Sequence, residues 1–103
     1  MIIYSVSITI DKTIESNWMK WMKETHIPDV INTKYFFDCK LQKQIISGSS
    51  EDEITFRLDY LANSFEDYQK YSLEEAPRLQ AEHSEKFAGK FKASRTVFTL
   101  LTK

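Results

Sequence analysis

The 103-residue sequence predicts an α+β sandwich, and three observations carry that expectation. Between Tyr4 and Ile10, apolar residues alternate with small polar ones, the period of a strand with one buried face. Two longer stretches, about Ile14 to His26 and Phe65 to Phe87, repeat bulky residues at spacings of three and four, as amphipathic helices do. Between them, two strand-like segments flank the polar run Ser47-Gly48-Ser49-Ser50-Glu51-Asp52, which reads as a hairpin turn.

The first strand sets Tyr4, Val6, Ile8 and Ile10 on one face and Ser5, Ser7 and Thr9 on the other. Asp11 or Thr13 can cap the helix that follows. That helix carries Ile14, Trp18, Trp21, Met22 and Thr25 as one stripe. Pro28 disfavours helical geometry at Ile27, so a break or kink is expected there, with one more short turn over residues 28–32. A second strand is expected over about Phe36 to Ile46. A third, Glu53 to Leu61, puts Ile54, Phe56, Leu58 and Tyr60 on one face and Thr55, Arg57 and Asp59 on the other. Asn63 with Glu66, or Ser64 with Asp67, fits a capping box. The second helical stripe reads Phe65, Tyr68, Ser72, Ala76, Leu79, His83, Phe87, and Pro77 should kink it or split it in two. Gly89 suits its C-terminal cap, and a last strand spans about Lys90 to Thr102.

Strand, helix, strand, strand, helix, strand is the βαββαβ order of a ferredoxin-like sandwich: a four-stranded antiparallel sheet with helices on one face. The other face stays open, and an open sheet face calls for a partner. The length suits a single domain over residues 1–103. Apolar residues make up 42% and charged residues 28%, ordinary for a globular protein. A net charge of −1 argues against a nucleic-acid or anionic-membrane partner. An RNA-binding version of this fold would need a Gly- and aromatic-rich third strand, and Glu53 to Tyr60 has no Gly. Cys39 is the sole cysteine, so no internal disulfide or cysteine metal cluster can form; it alternates with Phe37 and Leu41 and is expected to be buried. The sequence shows no leader and no apolar run of the ~20 residues a membrane span needs, so the expected location is cytoplasmic. No cofactor is called for.

The segments Met1-Ile2-Ile3-Tyr4, Trp18-x-x-Trp21-Met22-x-x-x-His26-Ile27-Pro28-Asp29-Val30, and Ala76-Pro77-x-Leu79-x-Ala81-Glu82-His83 with Lys90-Phe91 resemble a small bacterial family known only as a domain of unknown function. That family looks like a branch of the dimeric α/β-barrel superfamily, in which two ferredoxin-like subunits pack their open sheet faces together. The resemblance implies a homodimer and carries no activity. Better-known relatives include cofactor-independent monooxygenases, haem-degrading oxygenases, muconolactone isomerases and EthD-like proteins. His26-Ile27-Pro28 is similar to the His-x-Pro ending of the EthD-like first helix, with Met22 standing where those proteins carry Trp. The haem-degrading type uses an Asn on the first strand and a Trp on the third, where this chain has Ser5 and Ser7 and no Trp.

His26 is the first candidate for catalysis. At a helix C-terminus its cationic form would be favoured, and a group titrating near neutrality beside an apolar pocket suits acid–base work; capping its own helix is the plainer role. Trp18, Trp21, Met22, Tyr60, Tyr68 and His83 are candidate ligand-binding residues, with Tyr71 also in reach of such a cavity. The alternative is that the aromatic stripe is simply core, and that His83 bonds to backbone, Glu82 or Glu85. No metal site is expected, because the two histidines match no short ligand motif. Ser5, Ser7, Arg57 and Asp59 are assigned to the open face, where Arg57 and Asp59 could bind a small polar ligand or form an ion pair across a dimer interface; Lys92 and Arg95 share that ambiguity. Two functions follow: a homodimeric protein binding a small, largely apolar molecule between sheet and helices, with isomerase or metal-free oxygenase chemistry as the enzymatic version; or a structural module with a packed core whose only binding event is dimerisation.

Overall fold

The computed structural model describes residues 1–46 and 51–102; four residues of the expected hairpin turn, 47–50, lie outside the described residues. Strand β1 (Ile2–Asp11) leads through a 3₁₀ turn (Lys12–Ile14) into α1 (Glu15–Trp21), a wide π turn (Met22–His26) and α2 (Ile27–Asn32). Then come β2 (Asp38–Lys43), β3 (Glu53–Ala62), α3 (Phe65–Glu74), α4 (Ala76–Lys86) and β4 (Phe91–Thr99). The sheet order is β2-β3-β1-β4, with antiparallel pairing throughout. This is the ferredoxin-like arrangement, with helices on one face only.

Alternation in the sequence becomes two-sidedness in the sheet. Tyr4, Val6, Ile8 and Ile10 pair with Tyr60, Leu58, Phe56 and Ile54 and lie under the helices, where all but the half-buried Ile54 are buried. From the helix side, Trp18, Met22, Val30 and Leu79 close the core at 1% exposure or less. Trp18 stacks on Phe56 at 4.7 Å. Burying side chains of this size contributes about 1.5–3 kcal/mol each, so the layer contact is the main source of stability.

Local signals act as their chemistry requires. The Asp11 carboxylate accepts from the Thr13 amide at 2.9 Å and its hydroxyl at 2.6 Å, which holds the acid below its usual range. Ser64 accepts from the Asp67 amide at 3.2 Å and starts α3, so of the two proposed caps it is Ser64 that serves. Pro77 divides the long stripe into α3 and α4, since a proline inside a helix loses an N–H and clashes with the preceding turn. Gly89 takes the left-handed φ of 77° in the turn that carries the chain from α4 to β4.

Three expectations are corrected. The path does not break at Pro28. Instead the Ile27 amide reaches back to the Met22 carbonyl, an i→i−5 bond, and the ladder widens just before the residue that has no N–H to give. The π turn also moves Thr25 off the apolar stripe to an exposed position. Second, β2 starts at Asp38. Lys34 adopts a left-handed φ of 72° and Phe36 turns into the core against Tyr4 and Tyr60, which leaves Phe37 51% exposed; Cys39 is half-buried. Third, Arg95 pairs with Val6 and Lys92 with Thr9. Lys92 therefore lies on the open face, where it meets Glu53 at 3.4 Å, and Arg95 lies on the helix face.

Candidate ligand-binding cleft

The helix face of the central rungs does not close completely. On the sheet, Tyr4, Val6 and Ile8 from β1, Leu58 and Tyr60 from β3, and Ala93 and Arg95 from β4 line a cleft; Met22 and His26, Tyr71, and Gln80 and His83 line it from the helices. Its open interior is about 30 Å³, room for two or so water molecules at ~10–15 Å³ each on this measure.

The π turn builds one wall. At ~100° per residue an α-helix would turn residue i+5 roughly 140° away from residue i. The wider turn instead stacks His26 on Trp21, with ring centroids 5.3 Å apart and planes at 30°. It also brings His26 to 5.9 Å from His83. Such π insertions are rare and concentrate at functional sites.

His83 is held by a contact the sequence did not suggest. It is 5% exposed, and its Nε2 accepts from the Trp18 indole N–H at 2.9 Å. Backbone, Glu82 and Glu85 are not its partners. Because indole can only donate, Nε2 must present a lone pair, and a neutral His83 then carries its proton on Nδ1. Phe91 meets the ring edge-on at 4.4 Å and Phe87 packs at 5.3 Å, fixing its plane.

Electrostatics also reverse an expectation. His26 is not at a free helix end, and its cation is disfavoured: burial first, then the nearby Arg95 charge, lower its pKa from 6.5 to about 4. His83 is also lowered to about 4, by burial, then by His26 and Arg95. Both imidazoles are neutral at pH 7. Burial raises the Tyr4 hydroxyl, while the Arg95 charge and hydrogen bonding from Arg95 and Gln80 pull it back. Burial, in the first place, pushes the Tyr71 hydroxyl well above its usual value, and it stays protonated. The Cys39 thiol, raised to about 12 mainly by burial, is no nucleophile. Tyr60 is 2% exposed, and its hydroxyl has no hydrogen-bond partner among the described residues; only the Cys39 thiol, a weak partner, lies near it.

Of the residues singled out from sequence, Met22, His26, Tyr60, Tyr71 and His83 border the cleft. Trp18 lies behind it, fully buried, and orients His83. Trp21 faces a separate open groove of about 440 Å³ with Ile14, Lys20, Lys86 and Phe87. Tyr68 packs on Tyr4 at 5.2 Å without lining the cleft. Tyr4, Gln80 and Arg95 were missed. A signal for Arg95 existed: it shares its parity with Phe91, Ala93 and Val97, the apolar residues of β4. No group of three or more His, Cys, Asp or Glu side chains is placed to hold a metal among the described residues.

Fold and cleft together define a ferredoxin-like α+β protein with a polar-rimmed space between sheet and helices. The chain belongs to the family described as Domain of unknown function (DUF4286), which it matches over residues 1–101. No curated protein matches the sequence. Among solved structures, an ethyl tert-butyl ether D (EthD) family protein from Bacillus halodurans is similar, with a TM-score of 0.71 at 15% identity over 98% of this chain and 100% of that one. An Arabidopsis thaliana protein gives 0.72 at 10% identity, covering 100% and 98%. A dimeric ferredoxin-like protein from an uncultured marine organism gives 0.68 at 13%, covering 100% and 97%. At such identities the likeness establishes the fold.

Proposed function

We propose that the protein binds a small organic molecule in the cleft between sheet and helices, and that it does so as a homodimer joined through the open sheet face. One observation carries the binding reading: polar groups from β1, β3, β4, α3, α4 and the π turn converge on a space floored by Val6, Ile8, Leu58 and Ala93. Pockets that bind small molecules combine an apolar floor with a few placed polar groups. The dimer draws support from the similar structure described as dimeric and from the open face, where Phe98 is 54% exposed. The chemistry this site offers without a metal is proton transfer. A neutral imidazole accepts a proton, and a guanidinium beside it stabilises the negative charge left behind.

A second reading, a packed interaction module without a ligand, is favoured by the narrowness of the interior. Native mass spectrometry of freshly purified protein separates the two. A dimer carrying an additional small mass that is lost in His26→Ala supports the cleft. A bare dimer whose spectrum and ligand uptake are the same in parent and His26→Ala overturns it, and a monomer overturns the assembly.

A further inference from the structure

The cleft contains one formal charge and nothing to balance it. Arg95 is its only charged residue, and no Asp or Glu lines it. No carboxylate forms an ion pair with Arg95 among the described residues, whereas Arg57 and Arg78 both have partners. Nor can the two imidazoles serve as counter-ions, since a neutral ring can give or accept a hydrogen bond but carries no negative charge. The hydroxyls of Tyr4, Tyr60 and Tyr71 are donors as well. Tyr60 adds an independent sign: the residue lines the cleft, and its buried hydroxyl has no hydrogen-bond partner among the described residues. A buried donor left unsatisfied costs about 1–3 kcal/mol, a cost removed when an acceptor occupies the space.

We propose that the occupant of this cleft is a small organic anion, a short-bodied carboxylic acid in its ionised form. Arg95 binds its carboxylate through the guanidinium fork, and the tyrosine hydroxyls donate to its remaining lone pairs. The apolar floor takes the carbon body. Arg suits this task because its planar fork matches a carboxylate with two parallel bonds. Its side chain is largely exposed and free to close over the bound group. The small interior limits the body to a few carbon atoms unless the mouth opens. This inference rests on the cleft being a binding site and adds the charge of what it binds.

The test compares propionate and butyrate with their neutral isosteres, propionamide and butyramide, on the intact protein at pH 7. Binding is read from the imidazole Cε1–H resonances of His26 and His83 during titration. The expected result is at least tenfold tighter binding of the acids, with the preference abolished in Arg95→Gln and retained in Arg57→Gln on the opposite face. Amides that bind as well as the acids, or an acid preference that survives Arg95→Gln, overturn the anion assignment while leaving the cleft as a binding site. Failure of all four probes to move either histidine overturns both.

Discussion

Trp18 and Tyr60 make opposite predictions at the level of single residues. Trp18 is fully buried and its indole satisfies His83. Trp18→Phe removes the donor and leaves both a void and an unpaired imidazole nitrogen, so urea denaturation should show a loss of about 2–4 kcal/mol. Tyr60→Phe removes a hydroxyl that has no hydrogen-bond partner among the described residues; the same experiment should show no loss, or a gain of up to ~1 kcal/mol. A destabilised Tyr60→Phe would mean the hydroxyl is satisfied in solution. The histidines set the pH dependence. Unfolded, each titrates near 6.5; folded, each is lowered to about 4. Between those values the unfolded chain binds protons that the folded chain refuses, so stability is full above pH 6.5 and falls as pH drops toward 4. Each ring contributes up to roughly 3 kcal/mol of that fall. Thermal denaturation at pH 7.5 and pH 5 should show the drop, and His83→Gln should reduce it; an unchanged slope would show that His83 is not buried as a neutral ring.

At the level of elements, the π turn is the part of the structure with most to test. Deleting Thr25, an exposed residue within it, restores i→i−4 bonding and should leave the helical content and melting temperature intact or higher. It also makes His26 the fourth residue after Trp21, still on the same helix face, so the Trp21–His26 stack should persist and the His26 Cε1–H resonance should stay near its parent position. A His26 signal that moves to the position of a free imidazole would show that the wide turn itself positions the ring. This element also marks the limit of the sequence. Strand alternation, the Ser64 cap and the division at Pro77 were all legible, because each is a local rule acting on adjacent residues. The π turn was not, because no recurring residue spacing encodes an i→i−5 register; Pro28 signalled a disturbance and was read as a break or kink. Arg95 was grouped with Lys92 and the open-face residues, although the parity of β4 sets the two on opposite faces. His26 and His83 were recognised as singular, yet their meeting depends on two helices separated in sequence, and no periodicity reports that distance.

For the whole molecule, the sheet has one face under helices and one bare. The middle of the bare face carries short polar side chains, with Ser7 opposite Ser94 and Thr9 bonded to Thr55 at 2.7 Å, and charged residues such as Arg57 and Lys92 flank them. Self-association through such a surface is isologous, so every substitution is felt twice. If the proposed homodimer forms through this face, Ser7→Glu/Ser94→Glu brings four carboxylates into it, and light scattering coupled to gel filtration should show the parent as a dimer and the variant as a monomer near 12.2 kDa. Because the cleft lies on the other side of the sheet, circular dichroism and the histidine resonances should stay as in the parent. A variant that remains dimeric would place the contact elsewhere.

The stacking of Trp21 on His26 also gives the protein an optical property. Indole emission is quenched by a nearby imidazolium far more than by a neutral imidazole, so the light leaving Trp21 registers whether the ring above it holds a proton. Trp18 lies against the other histidine through its own N–H and responds to the same event by a different route. Any occupant that changes the protonation of either imidazole therefore changes the yield of the protein's own fluorescence, with no dye attached.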